Sequence, residues 1–416
     1  MVSTRPVYRP PSPPLSHRLP AKVYWRRRAI VALAAVTIVV FGYLGLTLGF
    51  ALNNQSYGVS YSARAAEWGR QHGMGSFVTW AETEWNRLHP AKVGGTVTGP
   101  HAFGFGPTQV VLPAGAKHLA APAPIVSPVA NPLPGEGVWH VAGRRTASGI
   151  PTVYEAFVRP DPVHTSYVVG VAWMDTTLLR AQLYSGSFIP GKGAPFRYSA
   201  PITAKDSTNL VAAFNAGFRM QDANGGYYTD GKMIYPLRNG AASVVVFKDG
   251  TMSMGMWGRD FTMSNQVASV RQNLDLIVDH GAAVPGLTSQ NLVKWGKTLG
   301  GTFNVWRSGL GVTKSGAIVY VGGPALSISD LANVLVRAGA VRGMELDINT
   351  DWVQYSVFNG PVGTAINGAD GTSLLGAMNG PPSRYFATWW NRDFYTMSLP
   401  SSSGLSPSSA AGSPSG

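Results

Sequence analysis

The sequence predicts an α+β domain built on a mainly antiparallel β-sheet with few helices, preceded by one transmembrane helix. Three observations lead there. Residues 136–397 break into many short runs rich in Val, Ile, Tyr and Phe, separated by Gly, Asp and Lys turn residues. Within that region one stretch, SISDLANVLVRAGA (327–340), carries clear helical periodicity. Upstream, residues 29–52 (AIVALAAVTIVVFGYLGLTLGFAL) contain no charge. As a helix they span roughly 36 Å, enough to cross a bilayer with some tilt.

Taken in order, residues 1–28 begin with a Pro, Arg and Ser rich stretch too poor in apolar residues to fold, and read as a disordered basic tail. The apolar run 29–52 is too long for a cleaved signal peptide, and Ala51-Leu52-Asn53 is a poor cleavage site, so an uncleaved single-pass anchor is expected. Lys22, Arg26, Arg27 and Arg28 abut its start, whereas no basic residue follows it until Arg64. That asymmetry places the N-terminus in the cytoplasm and the main domain outside it, at the cell membrane. Residues 53–89 hold two short juxtamembrane helices, with Ala65, Trp68 and His72 on one apolar face and Phe77, Val78, Trp80, Ala81 and Trp85 on another. Their tryptophans suit either the lipid headgroup level or packing against the main domain. Residues 90–135 form a Pro, Gly and Ala rich spacer, part of which could lie across the domain as a strap, and 398–416 a low-complexity disordered tail.

Within 136–397 the expected strands are GVWHVAG, TVYEAFV, SYVVGVAWM, LVAAFNA, ASVVVFKDG, LDLIVDHG, VWRSGLGVT, GAIVYVGG and VRGMELDI. In the helix, Ser329 is the expected N-cap, Leu331, Val334, Leu335 and Ala338 form the apolar face, and Gly339 supplies the stop.

The net charge of +13 invites a nucleic-acid reading, but seven of the 33 basic residues precede the span, leaving 26 against 20 acids, a net +6. No stripe of cations remains on one element, so no nucleic-acid partner is expected. The absence of cysteine excludes disulfides, a thiolate nucleophile and a sulfur-ligated metal. No HExxH, P-loop, EF-hand or Gly-x-Ser-x-Gly pattern occurs, which removes metalloprotease and esterase readings.

Chemistry concentrates at strand ends. In Val341–Ile348 the alternation sends Met344, Leu346 and Ile348 one way and Glu345, Asp347 and Asn349 the other. Two carboxylates on one face could approach acid/base spacing, with one pKa raised by the other; equally, one of them could pair with an arginine or cap the next turn. Asp351 adds a further polar group, and Trp352 offers either a stacking face for a sugar or a filler for the core beneath the loop. Asn215-Ala216-Gly217-Phe218 puts an amide at another strand end, ahead of a polar loop containing Arg238. Arg307-Ser308 carries a planar guanidinium able to grip two phosphodiester oxygens; Arg219, Arg238 and Arg259 are weaker anion binders. His280 has no adjacent nucleophile and is expected to be structural. Alternating oxygens at Asp347, Asn349 and Asp351 suit calcium, yet neither metal nor cofactor is expected.

Together these motifs resemble the phosphodiester glycosidase family, the N-acetylglucosamine-1-phosphodiester alpha-N-acetylglucosaminidase-like domain, as a divergent member. Leu346-Asp347 matches the start of the family's Leu-Asp-Gly-Gly-Gly-Ser, with Ile348-Asn349-Thr350-Asp351-Trp352 standing where the glycines and serine would be. Asn215-Ala216-Gly217-Phe218 is similar to Asn-Gly-Gly-Phe-Phe, Asp230-Gly231-Lys232 to a following turn, and Arg307-Ser308 with GLGVTKSG to an Arg-Thr/Ser strand and hairpin. The resemblance covers approximately residues 205–358. It implies a hydrolase of a sugar phosphodiester or related glycosidic bond in an envelope glycoconjugate. Asp347 and Glu345 would then be catalytic, and Asn215, Gly217, Arg307, Asn349, Asp351, Trp352 and Arg238 would bind substrate, a carbohydrate or glycopolymer. The alternative is a non-catalytic glycan-binding or envelope-organising module on the same fold. Both readings expect Asn215, Arg307 and Asp347 to meet around one cavity.

Overall fold

A computed structural model describes residues 21–98, 117–191, 196–287, 295, 304–388, 390 and 392–400. Most of the expected N-terminal tail, the middle of the spacer and most of the C-terminal tail therefore lie outside the described residues. The chain divides into two compact units at Asn53. The first contains helix α1 (Ala21–Asn53), which is long and apolar enough to cross a membrane. It starts ahead of the uncharged run and takes in Lys22 and Arg26 to Arg28. Thr37 and Thr47 return their hydroxyls to the carbonyls of Leu33 and Tyr43 at 2.8 and 3.0 Å, so these polar groups are satisfied within the helix.

The second unit opens with α2 (Tyr61–Gln71), capped by Ser60, and α3 (Gly75–Leu88). Three sheets follow, all of whose strand pairs are antiparallel. The largest has the order β1 (His140–Arg145), β2 (Pro151–Val158), β3 (Val169–Met174), β14 (Ile318–Leu326), β13 (Val305–Thr313), β15 (Ala340–Asp347), β11 (Leu276–Asp279), β12 (Ala282–Ala283). A second runs β7 (Lys232–Tyr235), β6 (Tyr227–Thr229), β10 (Val267–Gln272), β8 (Ala242–Phe247), β9 (Met252–Met256). The third runs β17 (Gly371–Ser373), β16 (Tyr355–Phe358), β5 (Leu210–Asn215), β18 (Phe394–Ser398), β4 (Arg180–Tyr184). All three contribute to one core, in which Met174, Leu183, Phe214, Val244, Leu310, Met344, Leu346 and Tyr395 meet.

Local chemistry explains the connections. Asp230 and Gly231 both take positive φ (51° and 73°), which suits the two-residue β6–β7 hairpin. A short four-residue helix, α4 (Ala204–Ser207), leads into β5. Helix α5 (Ile328–Arg337) packs Leu331, Val334 and Leu335 onto the large sheet. Glycines let it approach: a Cβ on Gly309 would sit 3.0 Å from Leu331, and one on Gly311 3.3 Å from Leu335. Its N-cap is Ser327, not Ser329. Ser327 Oγ accepts from Asp330 N at 3.1 Å and Asp330 Oδ2 accepts from Ser327 N at 3.0 Å, a reciprocal box that leaves Ser329 inside the first turn.

The described parts of the expected spacer lie along this unit. Ile125 N bonds Gly137 O at 2.9 Å, Ala123 O accepts from Trp139 Nε1 at 2.8 Å, and Leu119 N bonds Asp175 Oδ2 at 2.7 Å. Those bonds make residues 117–135 a strap across the sheet edge.

Candidate functional site

The ends of β5, β13 and β15 converge, although they come from two sheets. Ser308 lies opposite Asp347 in the β13–β15 register. Asn215, the last residue of β5, donates from Nδ2 to Ser308 Oγ at 3.1 Å, and Ser308 Oγ accepts from Asp347 N at 3.2 Å. Asn215 Oδ1 accepts from Tyr320 OH at 2.9 Å and from Gln354 N at 3.2 Å. The amide expected to hold a sugar is thus buried and engaged in joining strands.

Arg307 differs more sharply from expectation. It is 0% exposed; its Nη1 donates to Glu345 Oε1 at 2.5 Å and its Nε to Leu326 O at 2.8 Å. Glu345 is 1% exposed. Burial raises its pKa and the Arg307 charge opposes that rise. The two form a closed pair beneath the strand ends, so Arg307 does not present its guanidinium to a ligand and Glu345 has no access to a reacting bond. The cause is that both faces of β15 are buried at this end, so the polar face predicted from the alternation meets protein instead of water.

Asp347 is also buried, at 4% exposed, but among the described residues takes part in no ion pair as tight as that of Glu345. Its Oδ1 accepts from the backbone of Ile348 at 2.8 Å and Asn349 at 3.0 Å, and Oδ2 takes no hydrogen bond from the described residues. Burial pushes its carboxyl up to about 6, against the lowering influence of the Arg392 charge and those two N–H groups. Asn349 closes the turn by accepting from Asp351 N at 2.9 Å. Asp351 is buried and accepts from Asn379 at 2.8 Å and from Ser60, ahead of α2, at 3.1 Å. Trp352 is buried in a cluster with Trp390, and the guanidinium of Arg392 lies 4.4 Å from its ring centre. Of the two roles open to it, the core role is the one seen.

Gly217 lies against the bracing of this loop: a Cβ there would meet Asn273 Oδ1 at 3.2 Å and Arg271 Nη2 at 3.4 Å. Asn273 ties Phe218 N to the carbonyl of Glu345. Arg238 bonds Asp275 at 2.6 Å and the carbonyls of Asn224 and Leu274, and has no described bond to the Asp347 turn.

Sequence reasoning missed the one cation among the described residues whose charge is seen acting on Asp347, Arg392. Arg392, just before β18, is buried, and burial lowers its pKa against the charges of Glu67 and Asp347. Its Nη1 has no hydrogen-bond partner among the described residues. Arg392 and Arg219 reach the Glu67 carboxylate of α2 at 3.7 and 3.5 Å. Arg271 and Asp393 form a fully buried pair at 2.6 Å alongside. The available signal was the run ATWWNRDFYTM, whose Arg392 and Asp393 sit inside an aromatic stretch that has to be buried.

No protein family's sequence pattern matches the chain, and no curated protein matches it in sequence. Solved structures give distant similarities of fold. The catalytic domain of zebrafish N-acetylglucosamine-1-phosphodiester alpha-N-acetylglucosaminidase, auto-inhibited by its pro-peptide, is 14% identical with a TM-score of 0.38, covering 63% of this chain and 88% of that one. A hypothetical protein from Synechocystis is 11% identical with a TM-score of 0.31, covering 60% and 62%. A protein from Burkholderia pseudomallei is 13% identical with a TM-score of 0.30, covering 56% and 74%. At such TM-scores none of them informs the chemistry of this site, which stands on its own residues.

Proposed function

We propose that the protein is a membrane-anchored extracytoplasmic hydrolase that cleaves a sugar phosphodiester or related glycosidic bond in an envelope glycoconjugate. The geometry that supports this reading is the buried Asp347 carboxyl at a strand end, whose Oδ2 takes no hydrogen bond from the described residues and which lies within range of the Arg392 charge; burial pushes that carboxyl up to about 6. At neutral pH such a carboxylate takes a proton from an attacking water as general base, and Arg392 with Arg219 holds the phosphate oxygens. In the closed form described, the Glu67 carboxylate stands at those guanidinium groups, so α2 must shift for substrate to enter.

The test is release of sugar from a synthetic sugar phosphodiester by the purified full-length protein. Asp347→Asn is expected to lower turnover by roughly 10²–10⁴-fold, the usual scale for a lost general base. The wild-type rate should rise with pH through about 6, a limb absent from the variant. Turnover equal to that of an Asp347→Asn, Arg392→Ala double variant removes the hydrolase.

The sealing of Glu345 against Arg307, which denies Asp347 the second carboxyl of an acid/base pair, supports a second reading, a glycan-binding or envelope-organising module without turnover. Glycan binding that persists in Asp347→Asn while wild type forms no product would select it.

A further inference from the structure

Helix α3 carries a face that the described residues leave uncovered. Its inner side packs on α2: Val78 is buried and would touch a Cβ on Gly69 at 3.0 Å, and Glu82 pairs with Arg70. Beside that contact the helix exposes Phe77 (62%), Trp80 (59%), Trp85 (64%) and Leu88 (64%). At about 100° per residue these four fall within an arc of roughly 140°, with Trp85 at its edge, a turn or two beyond the Val78 contact. Glu84, on the same side, is paired with Arg87 at 2.8 Å, which lowers the cost of moving it away from water. Phe77 and Trp80 are in ring contact at 5.6 Å, so the surface is contiguous rather than scattered.

We propose that this face of α3 lies in the headgroup layer of the bilayer, with the helix axis along the membrane surface. The inference rests on α1 being a membrane anchor. Given that anchor, α3 follows it after residues 54–74 alone, and a bilayer tethered so closely is present at a concentration no diffusing partner matches. The side chains also fit that layer. Tryptophan combines a large apolar ring with an N–H that needs a polar neighbour, and amphipathic helices bury such faces at the boundary between headgroups and acyl chains. The same hairpin places Glu67 of α2 at the Arg219 and Arg392 guanidinium groups, so the membrane contact and the cover over the candidate site belong to one piece of structure.

The chain has no cysteine, which permits single labels without background. Full-length Phe77→Cys and Leu88→Cys, which retain both tryptophans, would carry a polarity-sensitive fluorophore in nanodiscs of phosphatidylcholine and phosphatidylglycerol. Val36→Cys in α1 and Lys248→Cys at an exposed hairpin serve as references. The expected result is a blue shift and loss of emission to headgroup-level spin-labelled lipid at 77 and 88, deep quenching at 36, and neither at 248. If 36 is quenched while 77 and 88 behave like 248, the interfacial helix is wrong and the anchor stands. If 36 itself is unquenched, the anchor fails and takes this inference with it. Labels at 77 and 88 that are shielded from water but untouched by lipid quenchers would mean a protein covers the face, which also overturns the bilayer.

Discussion

Two clusters of opposite charge sit at neighbouring strand ends and close to different degrees. Arg307 and Glu345 meet at 2.5 Å with both groups sealed from water. Arg219 and Arg392 approach Glu67 at only 3.5 and 3.7 Å; among the described residues each cluster leaves one polar atom without a hydrogen bond, Glu345 Oε2 in the tight one and Arg392 Nη1 in the loose one, so distance is what separates them. The tight cluster is part of the frame, and the loose one is where the proposed function would put its substrate's phosphate. Breaking the tight pair should produce the largest effect in the molecule. Arg307→Met leaves Glu345 buried without its cation, so that it must either stay charged or take up a proton, and opening such a pair typically removes about 3–5 kcal/mol of stability. Urea unfolding reads this as a lower midpoint at unchanged slope, and adding Glu345→Leu should restore most of it. A variant with full stability and lost substrate binding would instead make Arg307 a ligand group.

A third buried carboxyl sharpens the contrast because no cation compensates it. Glu155 of β2 faces His140 across the β1–β2 pair, with 3.8 Å between Nε2 and Oε2. Burial lowers the pKa of His140 and pushes Glu155 up to about 8, so neither is charged at neutral pH. The folded state therefore keeps a proton on Glu155 that the unfolded chain releases above its ordinary 4.5. Stability from this group is complete below 4.5 and declines as pH rises to about 8, by ~1.4 kcal/mol per pH unit. Glu155→Gln should remove that slope and leave the variant relatively more stable at pH 8 than at pH 5. Parallel stability curves for the two proteins across that range would mean Glu155 is charged in the fold.

The sequence-level patterns that survived folding are those set by local chemistry. Runs such as SYVVGVAWM and GAIVYVGG became strands β3 and β14 because β-branched and aromatic residues between turn signals have few other uses. The helix over 328–337 was legible from its period, while its cap was misplaced by two residues because two serines competed for it. What could not be read was which polar residues would be sealed. A guanidinium at a strand end looks the same in sequence whether it faces solvent or a buried glutamate; Arg307 meets Glu345 of the neighbouring strand, and Arg392 meets Glu67 of α2. Strands β9 (MSMGM) and β18 (FYTMS) lacked a clean alternation, so Arg392 and Asp393 went unnoticed.

The loose cluster gives the smallest change in stability and the most informative one. Removing the Glu67 charge does not isolate either arginine, since Arg219 keeps Asp222 at 2.6 Å and Arg392 still faces Asp347. Glu67→Gln should therefore cost only about 1 kcal/mol, far less than opening the Arg307 pair. The vacated guanidinium groups then lack their anion. Inorganic phosphate that binds the folded state there raises the unfolding temperature in proportion to its occupancy, so the gain should be larger for Glu67→Gln than for wild type and should vanish when Arg392→Ala is added. Such a pattern would establish that Glu67 occupies an anion site. Equal responses in all three proteins would reduce the contact between α2 and the two arginines to an ordinary ion pair, and the distinction between the two clusters would then be one of distance alone.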